Sequence, residues 1–162
     1  MRKRTVRKVW QKVNPLEFAM AGASIMTRDD CDKLLARELS SLDALIHGAG
    51  GLDEWNDLVN VNNLAEALAL DGVGRDEVMP TVKEVETHLI EAAERFQRTG
   101  KMRLTGPAIQ AMRSIIEWHD LQRSSIARSQ YERTIRKVTA QIKSGHVARD
   151  LWPELGEPRK AA

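Results

Sequence analysis

DDCDKLLARELSSLDALIHGAGG (residues 29–51) carries the clearest helical pattern in the chain. Cys31, Leu34, Leu35, Leu39, Leu42, Leu45 and Ile46 recur at spacings of three and four, so they line one side of a helix over roughly 29–47. Asp29 or Asp30 is placed to cap its first amides, and the run from Gly48 to Gly51 ends it. A stripe this regular, with charged residues on the other side, must be covered by other helices.

A second helix is predicted over 52–70, where Asp53 and Glu54 suit the positive end of the helix dipole and the turn at 71–74 closes it. The short linker makes these two helices an antiparallel hairpin. A third helix covers about 76–98, or begins nearer 79 because Pro80 belongs in a first turn; Gly100 stops it. Thr105, Gly106 and Pro107 open a fourth segment with no further glycine or proline until Gly145, which predicts one long helix of about 36 residues, on the order of 50 Å. Residues 1–13 suit a short amphipathic helix, 16–27 a short helix or an extended arm, and the chain beyond Trp152 a loose tail. No alternation long enough for a sheet occurs. The expected fold is all-α: a bundle of about four main helices with a long C-terminal helix, organised as a basic arm (1–28), a bundle domain (29–150) and a flexible tail (151–162).

The chain has 162 residues, enough for a single core, and its 42% hydrophobic and 30% charged residues exclude collagen-like, low-complexity and fully disordered classes. Cys31 is the only cysteine, which excludes a disulfide framework. No apolar run is long enough to span a bilayer, and the basic start is not followed by an apolar stretch, so neither a membrane segment nor a secretory signal is expected and the cytoplasm is the expected compartment.

The net charge of +2 hides an asymmetry. Residues 1–12 carry six basic groups and no acid, residues 121–149 carry seven basic groups and one acid, and residues 13–120 carry ten basic and nineteen acidic groups. The basic segments either meet the acidic middle within the fold or a dimer, or offer phosphate contacts. In the second case Arg2, Lys3, Arg4, Arg7, Lys8, Arg128, Arg136 and Lys137 are the candidate phosphate-binding residues. The late basic residues spread around the helix axis and lack a positioning helix and short turn, which disfavours sequence-specific DNA reading.

Catalytic patterns are absent. His88 and Glu91 form one i,i+3 pair, but the second pair and extra glutamates of a bundle dimetal site are missing, since Arg123 stands where His119 would need a carboxylate. Cys31 belongs to an apolar stripe, no nucleophile elbow surrounds the serine pairs, and no phosphate-cradling glycine loop occurs. No cofactor, metal or enzymatic activity is expected.

Polar residues inside apolar stripes are more informative. Ile109, Met112, Ile116, His119, Arg123, Ile126 and Gln130 share one helical face, so His119 and Arg123 interrupt it; Asn62 lies between Leu58 and Ala65. Such residues form a satisfied internal network, reaching Glu66 or Asp120, or line a groove for a partner. Asn62, His119, Arg123 and Tyr131 are therefore the candidate partner-binding or buried-network residues. Asn56, Asn60 and Asn63 form a second polar stripe, either a solvent face or a contact surface. The long helix, whose apolar stripe drifts from Ile116 and Ile126 to Tyr131, Ile135, Val138 and Ile142, exceeds what three helices cover, so a homodimer is expected.

The strings RKRTVRKVW (2–10), TGKMRLTGP (99–107) and EWHDLQR (117–123) resemble a group of short, uncharacterised helical proteins of proteobacterial bacteriophages, prophages and other mobile elements. The resemblance brings no catalytic motif. It implies a non-enzymatic protein that binds and modulates a host protein or a regulatory or defence complex. The alternatives are a nucleic-acid-binding regulator using the basic N-terminus and late helix, and a small-molecule sponge.

Overall fold

A computed structural model describes residues 15–144, all helices and connections apart from one isolated bridge. The helices are α1 (Pro15–Ala23), α2 (Arg28–Ile46), α3 (Leu52–Leu70), α4 (Arg75–Thr99), α5 (Gly106–Ser125) and α6 (Arg128–Lys143). Residues 1–14 and 145–162 lie outside the described part, and with them Arg2, Lys3, Arg4, Arg7, Lys8 and the expected tail.

The hairpin expected from residues 29–70 is α2–α3. Its first helix begins one residue earlier than expected, because Thr27 and neither aspartate supplies the cap: the Asp30 amide donates to Thr27 Oγ1 at 3.2 Å. Asp29 and Asp30 occupy the first turn, where negative charge suits the dipole. Gly50 closes the turn so tightly that a Cβ there would fall 2.7 Å from Leu45 Cδ2 and 3.0 Å from the Leu45 amide nitrogen.

α3 is the central helix and packs against α2, α4, α5 and α6. Trp55, Leu58, Val61, Ala65, Leu68 and Ala69 bury one broad side of it, Asn63 and Ala67 are buried on the flank beyond, and Asp53, Asn56 and Asn60 face solvent. Its alanines let neighbouring helices approach, and Trp55 donates its indole N–H to the Leu89 carbonyl of α4 at 3.2 Å. α4 starts at Arg75, so Pro80 lies beyond the first turn; proline removes the amide that would bond to Asp76, but both residues face solvent, where water serves that carbonyl. Gly100, at φ +68°, ends α4 in the left-handed conformation, its amide donating to the Phe96 carbonyl at 2.7 Å.

The expected long C-terminal helix is corrected. The chain leaves the helical conformation at Ile126 (φ −116°, ψ 163°) and Ala127 (φ −66°, ψ 143°), and α5 and α6 are separate helices. Ile126 is buried against Leu68 and Tyr131, with Met26, Leu34 and Val73 packed around them. The extended residues pair with the α1–α2 linker: Ile25 bridges Ala127, and the Arg128 amide donates to the Ser24 carbonyl at 2.8 Å. Burying an isoleucine side chain contributes about 1.5–3 kcal/mol, whereas ordinary residues differ in helix preference by only about 0.7 kcal/mol. The tertiary contact therefore decides the backbone.

The break turns α6 back onto α3 and α1 of its own chain. The reason for expecting a homodimer, a helix longer than its bundle, falls with it. α1 packs on α6, with Gly22 close enough to Ser129 that an added Cβ would lie 3.3 Å from Ser129 Cβ. Among the described residues no helix is long and apolar enough to cross a membrane.

Candidate functional site

Three of the four polar residues singled out in the sequence converge. His119 and Arg123 leave α5 one turn apart toward α2 and α6; Arg123 and His119 are fully buried and Tyr131 is nearly so. Arg123 Nη1 donates to Glu38 Oε1 at 2.5 Å, and its Nε and Nη2 donate to Asp120 Oδ1 at 3.0 and 2.8 Å. His119 Nε2 shares a hydrogen bond of 3.0 Å with the Tyr131 hydroxyl and lies 3.9 Å from Glu38 Oε1.

The network reaches Asp120, as one expectation had it, but its second acid is Glu38 and not Glu66. Glu66 sits on α3, where partial burial and the neighbouring Glu86 carboxylate raise its pKa. Glu38 was legible: it stands seven residues after Cys31 and seven before Leu45, in line with the apolar stripe of α2. Asn62 is buried but joins no network; its Oδ1 has no hydrogen-bond partner among the described residues. Gln122, which the sequence reading passed over, is buried and donates through Nε2 to the Ala65 and Val73 carbonyls at 3.2 and 2.8 Å, tying α5 to α3 and to the α3–α4 turn.

Burial sets the electrostatics. Loss of water pushes the His119 pKa down to about 3, helped by the Arg123 charge, so the ring is neutral. Burial also pushes the Tyr131 hydroxyl up to about 12. Burial raises the Glu38 carboxyl against the opposing pull of Arg123. For Arg123, burial works against the charge, but Glu38 and Asp120 outweigh it and the net shift is upward. Two oxygens or nitrogens of the cluster are buried without a partner among the described residues: Glu38 Oε2 and His119 Nδ1. Either tautomer of His119 leaves Nδ1 in that state.

The network borders a cleft of about 300 Å³ between α2, α3 and α6. Leu34, Val61, Leu64, Ile135, Val138 and Ile142 form its apolar walls. Glu38 and Tyr131 are its buried polar residues; Arg37, Asp57, Asn60 and Thr139 are the polar residues nearer solvent. Arg37 holds Asp57 through two hydrogen bonds of 2.7 and 3.3 Å, and Ser41 donates to the same carboxylate at 2.9 Å. From Tyr131 to Ile142 the α6 wall spans about 16 Å, three helical turns.

The other expected surfaces are placed differently. Of the asparagine stripe, Asn56 and Asn60 are exposed while Asn63 is buried, so it is not one solvent face. Of the phosphate-binding candidates on α6, Arg128 pairs with Glu132 and Asp30, and Lys137 pairs with Asp71 on the α3 terminus. Arg136 is exposed. Part of the basic late segment thus meets the acidic middle within the fold. Among the described residues no cluster of histidine, cysteine, aspartate and glutamate is arranged to hold a metal ion.

Searches against protein-family models, curated proteins and solved structures find no match to this chain.

Proposed function

We propose that the protein is a non-enzymatic binding protein that uses the α2–α3–α6 cleft to take up an apolar segment of a protein partner. In the setting that the resemblance to phage and mobile-element proteins implies, that partner is a host protein or a component of a regulatory or defence complex. The observation that carries the reading is the exposure of Ile135 (39%) and Ile142 (37%) on the α6 wall of the cleft, beside the apolar Leu34, Val61 and Leu64. Helix-in-groove recognition uses anchors of this kind, spaced along one helical face, and buried anchors supply most of the affinity. The titratable cluster beside the cleft favours binding over catalysis: His119 is neutral and buried, and Arg123 is committed to two carboxylates.

The test is capture from bacterial lysate with the full chain, with and without nuclease, comparing wild type with Ile135→Asp. A stoichiometric protein partner that survives nuclease and is lost with Ile135→Asp supports the reading. A sequence-selective complex with duplex DNA that persists at about 150 mM salt overturns it and promotes the nucleic-acid alternative.

A further inference from the structure

We propose that the cleft accepts a lysine or arginine side chain flanked by branched apolar residues on the partner segment, with the Glu38 carboxylate as the acceptor. This rests on the reading of the cleft as a protein-binding face and adds the chemistry of what enters it.

Charge balance is the first argument. The cleft and the network behind it hold three carboxylates, Glu38, Asp57 and Asp120, against two guanidinium groups, Arg37 and Arg123, with His119 neutral. Arg37 is taken by Asp57, and Arg123 is shared between Asp120 and Glu38. One negative charge is left over, and Glu38 is the carboxylate that belongs both to the network and to the cleft lining.

The second argument is an unused oxygen. Glu38 Oε1 receives Arg123, while Oε2 is buried with no partner among the described residues. A buried carboxylate oxygen without a donor costs free energy that a charged donor recovers, since hydrogen bonds to charged groups are among the stronger ones. The third argument is the wall. Leu34, Val61, Ile135 and Val138 offer an apolar surface along which the aliphatic stem of a lysine or arginine packs, and its charged end meets the Glu38 carboxylate.

The experiment is selection of a displayed library of random peptides on the full-length protein, run in parallel on wild type, Ile135→Asp and Glu38→Gln. Expected are wild-type peptides with a lysine or arginine between leucine, isoleucine or valine residues, none from Ile135→Asp, and loss of the cation preference on Glu38→Gln. Apolar peptides that depend on Ile135 but carry no cation overturn this inference and leave the binding reading standing. No peptides that depend on Ile135 overturn both. A concentration-dependent dimer in light scattering that Ile135→Asp abolishes makes a second copy the occupant and also overturns the inference. If Glu38→Gln fails to fold by circular dichroism, the wild-type protein decides: replacing the peptide lysine by methionine must weaken binding by about tenfold or more, and unchanged affinity overturns the proposal.

Discussion

Arg123 on α5 and Glu38 on α2 lie 85 residues apart in the chain, and their side chains meet at 2.5 Å with Arg123 fully buried. The pair joins two helices that the α2–α3 hairpin alone would not connect. A buried ion pair contributes little net stability against an apolar alternative, but removing one member strands the other without water.

The Arg123→Ala variant is therefore expected to lose about 3–5 kcal/mol. Glu38→Leu combined with Arg123→Met is expected to recover most of that loss, because Asp120 is only partly buried and can turn to solvent. Urea denaturation of the single and double variants checks this. A double variant as unstable as Arg123→Ala would show that the site needs charge rather than filled volume.

His119 makes stability depend on pH. Its folded pKa of about 3 lies below the ordinary 6.5, so the unfolded chain takes up a proton that the native ring refuses. Its contribution is complete above pH 6.5 and is lost as pH falls from there toward 3, at roughly 1.4 kcal/mol per unit at most. Glu38 and Asp120 face the same cluster, and the raised Glu38 pKa acts in the opposite sense: its neutral form is favoured by folding, so its burden eases as acid is added. The difference between wild type and His119→Leu isolates the histidine. Urea midpoints measured from pH 7 to pH 4 are expected to fall more steeply for wild type, and parallel curves would refute the neutral buried ring.

Cys31 lies 1% exposed beside this cluster, and burial raises its thiol pKa. Both effects suppress the reactive thiolate. A thiol reagent such as DTNB is expected to leave the folded protein unmodified and to label it in step with unfolding in urea. Rapid labelling of the native protein would mean that α2 opens locally.

The parts of this structure that were legible in the sequence are those where local pattern and tertiary contact agree. The α2 stripe from Cys31 to Leu45 predicts both the helix and its buried side, and the polar interruption at His119 and Arg123 marks the network. Glu38 was readable by the same heptad spacing, but a charged residue within a stripe is easily assigned to its flank. The α5–α6 break was hidden because its cause is remote. Ser124 and Ser125 bond back to the Leu121 and Gln122 carbonyls, a local sign that a helix is ending, yet serines do this inside helices too. What extends the chain at Ile126 is the pocket made by Leu68, Met26, Leu34 and Val73, and what receives the first α6 amide is Ser24, over a hundred residues earlier in sequence. The cleft depends on that break, since only a folded-back α6 brings Ile135 and Ile142 opposite Leu34 and Val61.

The break itself can be tested with proline. Ala127 has φ −66°, the angle that a proline ring imposes, and Ile126 before it is extended, as a residue preceding proline must be. Ala127→Pro is therefore expected to fold normally and to gain up to about 0.4–1 kcal/mol by restricting the unfolded chain. In one continuous helix the same substitution would remove an amide, clash with the carbonyl four residues earlier and cost about 3 kcal/mol. Ala140→Pro, at an exposed position inside α6, supplies the control and should show that larger loss. Urea denaturation of the two variants beside wild type separates the cases. If Ala127→Pro is destabilised as much as Ala140→Pro, residues 125–128 are helical, and the cleft formed by the folded-back α6 goes with them.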